Sequence, residues 1–300
     1  MKINVLACVS LFAAILAGCV SNKYSADRLR DELKDYVESK DCRIGVAVIY
    51  NGDTIAINGN DSFPMLSVYK FPQAIAAGKI FCELGITPDD TIAISASLML
   101  PDTWSPLRDR YGINDIKLPI GEVLSYSLMM SDNNACDILF EMTGGVDIAN
   151  DLIKSLGYKD INLRNTEAEM NADPNLCYDN SATPIALAAL MSDFYSTMCS
   201  ENDWMRSIKA NLELCETGKG RIPAAAFDEE TLIGHKTGTG PKGENGKIIA
   251  VNDVGYVEFA SGDNYTIAVM VCQSSVSLED TERMVGEISE IVRRNIEQTK

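Results

Sequence analysis

Strand-like apolar runs lie at the two ends of this chain, and the long stretch between them reads as helix. Residues 44–50 form a continuous apolar run. Asn51-Gly52 follows, a strong signal for a two-residue hairpin, and residues 54–58 return beside the first strand. Strand character comes back only at residues 231–237, 248–259 and 265–272. Unpaired strands expose backbone donors and acceptors, so segments this far apart must find one another. The pattern predicts one five-stranded antiparallel sheet covered by terminal helices, with an all-helical domain inserted at residues 59–207. That is an α+β fold of the α/β-sandwich kind, its sheet domain made from residues 19–58 and 208–300.

The helices that would cover the sheet are legible too. Ser25 caps a segment whose Leu29, Leu33, Tyr36 and Val37 share one side. Ser277 with Asp280 resembles a capping box, and the segment after it presents Met284, Ile288, Ile291 and Val292 on one face. Thr183-Pro184 opens a helix in the middle section with a Thr cap and Pro at the first helical position.

Composition narrows the class. The chain has 300 residues, 46% hydrophobic and 23% charged, enough to bury a large core. A formal net charge of -17 argues against nucleic acid or an anionic membrane surface as partner. The N-terminus reads as a targeting segment (residues 1–18). Lys2 is followed by an apolar run at residues 5–17 that is too short to span a bilayer. Leu16-Ala17-Gly18-Cys19 then matches the bacterial lipobox. This predicts an exported, periplasmic, membrane-anchored lipoprotein lipidated on Cys19; an ordinary cleaved signal with a chance cysteine is the competing reading. Seven cysteines follow Cys19, an odd number with no C-x-x-C pair, and they read as small buried apolar residues with a disulfide left open.

Three short motifs carry the chemistry, and their order matters more than any one of them. They are Ser67-Val68-Tyr69-Lys70, Ser131-Asp132-Asn133 and Lys236-Thr237-Gly238, with Glu167-Ala168-Glu169-Met170-Asn171 between the second and third. Serine is a poor nucleophile without a base beside it, and Lys70 lies one helical turn from Ser67. Burial and a nearby cation such as Lys236 would help Lys70 act as that base. On a strand, Gly238 would let a ligand lie flat against the edge. Gly238 to Gly243 also satisfies G-x-G-x-x-G, but a strand rather than a helix follows and Pro241 interrupts it, so a dinucleotide site is rejected. His235 is the only histidine, which makes a His-rich metal site implausible, and it is expected to face away from the cleft and pack. No cofactor is implied.

In this set the chain resembles the class A serine β-lactamases, from about Ser25 to its C-terminus. The resemblance implies a β-lactamase/transpeptidase-like fold with the active site between sheet and helical domains, and a monomer acting on a small β-lactam. It implies Ser67 as nucleophile, Lys70 and Glu167 as acid–base groups, and Ser131 as proton relay to the leaving nitrogen. Asn133 and Asn171 would hold the substrate amide and the hydrolytic water. Lys236, Thr237 and Thr239 would line the substrate carboxylate side, with the N–H groups of Ser67 and Thr239 as oxyanion hole. Arg221, in Thr217-Gly218-Lys219-Gly220-Arg221-Ile222, fills the place of a carboxylate clamp used by a subset of the family. Trp104 falls where the family has an aromatic at the cleft mouth, though a core position fits the residue nearly as well.

The loop around Glu167 departs from the family. Asn165 and Asn180 stand where an arginine and an aspartate usually form an ion pair; Arg164 and Asp179 lie one residue earlier. Either that pair is rebuilt from the shifted residues or the loop is tethered in another way. The run from Ser67 to Pro72, with Thr239, resembles a subgroup active on cephalosporins. Leu66 and Gly240 replace the cysteines of the carbapenem-hydrolysing group. The alternatives are a penicillin-binding protein acting on cell-wall peptides, which would lack Glu167 and Asn171 in these roles, and a surface lipoprotein that binds ligand without turnover.

Overall fold

A computed structural model describes residues 24–226 and 228–297, so the targeting segment and Cys19 lie outside the described residues. Helix α1 (Ala26–Glu38) leads into the hairpin β1 (Arg43–Tyr50) and β2 (Asp53–Ile57). A short β3 (Phe63–Pro64) and a 3-10 turn at Leu66–Tyr69 precede α2 (Lys70–Glu83). Strands β4 (Thr91–Ile94) and β5 (Ile116–Pro119) flank α3 (Pro106–Tyr111). Helices α4 (Ile120–Met129), α5 (Asn133–Met142) and α6 (Val146–Ser155) follow. Then β6 (Ile161–Asn162) and β7 (Ser181–Ala182) bracket α7 (Glu167–Ala172). Helices α8 (Pro184–Ser196) and α9 (Asp203–Glu213) return the chain to β8 (Leu232–Thr239), β9 (Ile248–Glu258), β10 (Asn264–Ser274) and the final α10 (Leu278–Glu297).

The expected sheet is present, in the order β2-β1-β10-β9-β8 and antiparallel throughout. Asn51 and Gly52 both take positive φ, as the tight hairpin demands. Alternation along β1 and β10 sorts the sheet into two faces. Ile44, Val46, Val48, Ile267, Val269 and Val271 pack with Leu29 and Leu33 of α1 and Val285, Ile288 and Val292 of α10. Ala47, Ala268 and Met270 face the helical half. Gly45 sits on that second face, where a Cβ would lie 2.5 Å from the Phe63 ring and 2.7 Å from Pro184. Small residues on one face thus let the helical half seat closely against the sheet.

Two expectations need correction. The middle section is not all helix: β4 pairs with β5, and β3, β7 and β6 form a small three-stranded sheet. Strands of two to four residues are too short to show a period-two pattern. The boundary at residue 207 also falls inside α9, whose Trp204, Met205, Ile208 and Leu212 all bury in the helical core. The sheet half therefore resumes beyond that helix.

Candidate active site

Ser67 sits on the 3-10 turn that opens α2, and its placement depends on the sheet beneath it. The preceding Leu66 is held at φ 48, a left-handed conformation that costs a branched side chain about 1–2 kcal/mol. Two contacts over-determine it. Asn252 of β9, fully buried, donates from Nδ2 to the carbonyls of Pro64 (2.8 Å) and Met65 (3.0 Å). Gly238 of β8 lets the turn rest on the strand, since a Cβ there would lie 2.3 Å from the Met65 carbonyl oxygen. The close approach that Gly238 permits is therefore to the nucleophile's own turn, not only to a ligand.

Lys70 is fully buried one turn after Ser67. Its Nζ lies 3.2 Å from Ser67 Oγ, 2.9 Å from the Ser131 carbonyl, 2.7 Å from Asn133 Oδ1 and 3.0 Å from Glu167 Oε1. The carbonyl, the amide oxygen and the carboxylate are pure acceptors, so Lys70 donates to all three. Ser67 Oγ also points toward Glu167 Oε1, at 3.5 Å. Glu167 is 8% exposed, turned inward.

Ser131 follows α4 at φ 58, a turn that aims its hydroxyl into the cleft. Lys236 Nζ donates to Ser131 Oγ (2.9 Å) and to the Thr237 carbonyl (2.9 Å). Burial, with the Lys70 charge adding to it, pushes the Lys236 ammonium down to about 8. Asp132 stays out of the chemistry. It caps α5 through Ala135 N and holds Ser105 Oγ and Leu107 N, tying α5 to the loop that carries Trp104.

The Glu167 loop is tethered without the family's ion pair. Asn180, fully buried, accepts from the backbone N–H of Arg164 (2.6 Å) and Asn165 (3.0 Å) and donates to the Asn165 carbonyl (2.8 Å). Asn165 in turn donates to the Leu176 carbonyl (3.1 Å) and Asp179 Oδ2 (3.3 Å). A neutral amide net thus takes over the tether. At the loop's helix, Thr166 and Glu169 form a capping box. Asp137 of α5 accepts from the N–H groups of Glu167 and Ala168, both at 2.8 Å. Burial raises the Asp137 carboxyl to about 7, and the charge of Glu167 adds to that. Asp137 was not singled out from sequence, although its spacing of four from Asn133 puts both on one face of α5. Asn252 carried no local signal at all.

The remaining residues enclose a cleft of about 480 Å³. Ser67, Ser131, Asn133, Glu167, Asn171, Thr237, Thr239 and Trp104 all line it. Asn133 Oδ1 is taken by Lys70 and its Nδ2 donates to Thr103 Oγ1 (2.8 Å). Asn171 Nδ2 donates to the Asp102 carbonyl across the mouth (3.0 Å). Trp104 is 60% exposed with its indole N–H on the Met130 carbonyl, which settles the mouth over the core. His235 is buried against Asp253, away from Lys236 on the strand, as alternation requires.

Arg221 requires a correction. It is 2% exposed and does not line the cleft. Its five N–H donors go to the carbonyls of Gly238 and Asn252, to Glu282 Oε1 twice, and to Thr239 Oγ1 at 2.6 Å. No donor is left for a direct bidentate clamp. Arg221 instead fixes the Thr239 hydroxyl as an acceptor of its own bond, which leaves that O–H free to donate into the cleft.

A cleft serine backed by a buried lysine and a buried glutamate, at the seam of a sheet and a helical lobe, defines a serine hydrolase that works through an acyl-enzyme. Residues 27–296 match the Beta-lactamase enzyme family. A β-lactamase of Phocaeicola vulgatus is 35% identical over 274 residues, spanning 90% of this chain and 85% of that protein. The crystal structure of the TLA-1 extended spectrum β-lactamase has a TM-score of 0.87 at 32% identity, covering 92% of this chain and 99% of that one. A representative class A β-lactamase from Bacteroides cellulosilyticus has a TM-score of 0.86 at 32% identity, covering 91% and 99%. The chain belongs to this family: it is a class A serine β-lactamase that hydrolyses β-lactams.

Proposed function

We propose that Ser67 and Glu167 divide the two half-reactions as follows. Ser67 Oγ attacks the lactam carbonyl and its proton passes to Glu167, the acceptor facing it. The N–H groups of Ser67 and Thr239 hold the oxyanion, an interaction worth about 100- to 1000-fold in rate per donor. Ser131, fed by Lys236, protonates the leaving nitrogen. Glu167, with Asn171 beside it in the cleft wall, then activates a water that attacks the ester. General-base help of this kind contributes roughly 100- to 10,000-fold. Lys70 keeps Ser67, Asn133 and Glu167 in register. Lys236, Thr237 and the Thr239 hydroxyl receive the substrate carboxylate, with Arg221 behind Thr239.

The observation that carries this reading is the buried Glu167 carboxylate, 3.5 Å from Ser67 Oγ and 3.0 Å from Lys70 Nζ. A transpeptidase has no use for a carboxylate there, because its acyl-enzyme must outlive water until an amine arrives. The preferred substrates are cephalosporins, with penicillins also turned over. This rests on the Ser67–Pro72 run with Thr239, and the extended-spectrum name of the TLA-1 enzyme is in keeping with it. Steady-state rates over a panel of cephalosporins, penicillins and carbapenems, with intact mass followed in parallel, test it. Regenerated free enzyme after cephalosporin turnover is expected; an adduct that persists for hours, or fastest turnover of carbapenems, would overturn it.

The protein works as a monomer, as its resemblance to the family implies, and it is exported and anchored through lipid on Cys19. The anchor reading rests on Leu16-Ala17-Gly18-Cys19. Fatty-acid labelling in cells should follow the wild type and vanish in Cys19→Ala; equal labelling of both would count against it.

A further inference from the structure

One hydroxyl of the cleft wall, that of Thr217, has no part in the steps above. It comes from the segment between α9 and β8, in the same Thr217–Ile222 stretch that places Arg221. Thr217 Oγ1 lies 2.6 Å from Thr237 Oγ1 of β8. Thr237 lines the cleft yet is only 3% exposed, so little water competes for its hydroxyl.

The backbone grips this pair. The Glu216 N–H donates to the Met129 carbonyl at the end of α4 (3.0 Å), and the Arg221 N–H donates to the Gly218 carbonyl (2.9 Å). Gly218 takes φ 65, and a Cβ there would lie 2.5 Å from Thr237 Cγ2. The methyl of Thr237 is therefore packed against Gly218. A threonine is stiff about χ1, so fixing the methyl also fixes the hydroxyl, and it meets Thr217.

Counting protons shows what the pair can offer. Each hydroxyl carries one proton and can also accept. Two hydroxyls that share a bond therefore keep one O–H for a third group. Thr217 Oγ1 has a second neighbour, Cys215 Sγ at 3.4 Å. When Thr217 donates to Thr237, the thiol can donate to Thr217, and the Thr237 O–H turns into the cleft. In the opposite sense the spare O–H is that of Thr217, beside a sulfur that accepts weakly. A carboxylate in the cleft selects the first sense, because a hydrogen bond to an anion is roughly twice as strong as a neutral one. The Lys236 ammonium, on the Thr237 carbonyl at 2.9 Å, adds positive charge on the same side.

We propose that Thr217 is a positioning residue for the substrate carboxylate: its O–H donates to Thr237 Oγ1 and so aims the Thr237 O–H at the anion. This rests on the reading that Lys236, Thr237 and Thr239 receive that carboxylate. Thr217 acts through Thr237 and does not serve the ester, so it governs recognition of anionic β-lactams and leaves deacylation alone.

The test compares a cephalosporin carrying its free carboxylate with the methyl ester of the same compound, on the full-chain enzyme. Wild type should favour the acid in kcat/KM. Thr217→Ala and Thr217→Val should each lower kcat/KM for the acid about tenfold, through KM, with kcat within about twofold. The ester should change by less than about twofold. If the ester turns over slowly, its Ki as a competitor of a chromogenic cephalosporin is read instead. Thr217→Ser keeps the hydroxyl and should restore the preference for the acid. An equal fall for acid and ester, an unchanged acid, or a serine variant as poor as alanine would each overturn the proposal. A wild type with no preference for the acid would overturn the carboxylate reading beneath it. A wild type with that preference, beside alanine and valine variants that keep it in full, would sink the role of Thr217 alone. The alanine and serine variants decide the matter even if valine, whose methyl would press on Thr237 Oγ1, fails to fold.

Discussion

Replacing Asn180 by alanine should loosen the loop that carries Glu167 and lower the stability of the whole fold. The side chain is fully buried, and its amide satisfies the N–H groups of Arg164 and Asn165 and the Asn165 carbonyl. Asn180→Ala orphans all three. A hydrogen bond of this kind is worth about 0.5–1.5 kcal/mol net, and three at about 1 kcal/mol each give about 3 kcal/mol. For a chain of this size that is a drop in Tm of about 6 °C. Asn180→Asp still accepts from both N–H groups but no longer donates to the Asn165 carbonyl, so it should fall between wild type and alanine. Thermal melts read the stability, and the lifetime of the acyl-enzyme by rapid-quench mass reads the loop. Longer-lived ester in Asn180→Ala, in step with the lower Tm, is expected. A Tm within about 2 °C of wild type together with an unchanged lifetime would refute the idea that this amide net replaces an ion pair.

Gly238→Ala places a Cβ against the Met65 carbonyl and must shift the Ser67 turn; a displacement of about 1 Å costs roughly 100-fold in acylation, measurable as kcat/KM. Lys236 is charged below about 8 and loses its charge above, so kcat/KM should fall on an alkaline limb near that pH; a profile flat to pH about 10 would contradict the assignment. Asp137→Asn turns one acceptor toward a backbone N–H as a donor, and deacylation should slow about tenfold at pH 8. In the wild type that rate should decline as the Asp137 carboxyl takes up a proton near pH 7, and the variant should lack this step.

The sheet was legible because its strands are long and apolar and because Asn51-Gly52 fixes one hairpin. The four-motif cluster was legible because each motif is local. What escaped notice acts across the fold. Asn252 straps the Ser67 turn from a strand 187 residues away along the chain, and nothing near either segment announces that bond. Arg221 matched the clamp pattern by spacing, but its partners Glu282, Gly238 and Asn252 come from three other segments, and they bury it. The substitutions at Asn165 and Asn180 were visible in the sequence; that a neutral amide net would replace the ion pair needed coordinates. His235 was expected to pack away from the cleft, and alternation on β8 places it so, but its ion pair with Asp253 depends on the register of β8 against β9.

One carboxylate, that of Glu167, serves the ester that Ser67 forms. Glu167→Ala, mixed with a cephalosporin and followed by intact mass, addresses it directly. The variant should accumulate a covalent adduct on Ser67 that outlasts the wild-type adduct by at least about 100-fold. An adduct that clears at the wild-type rate would contradict it.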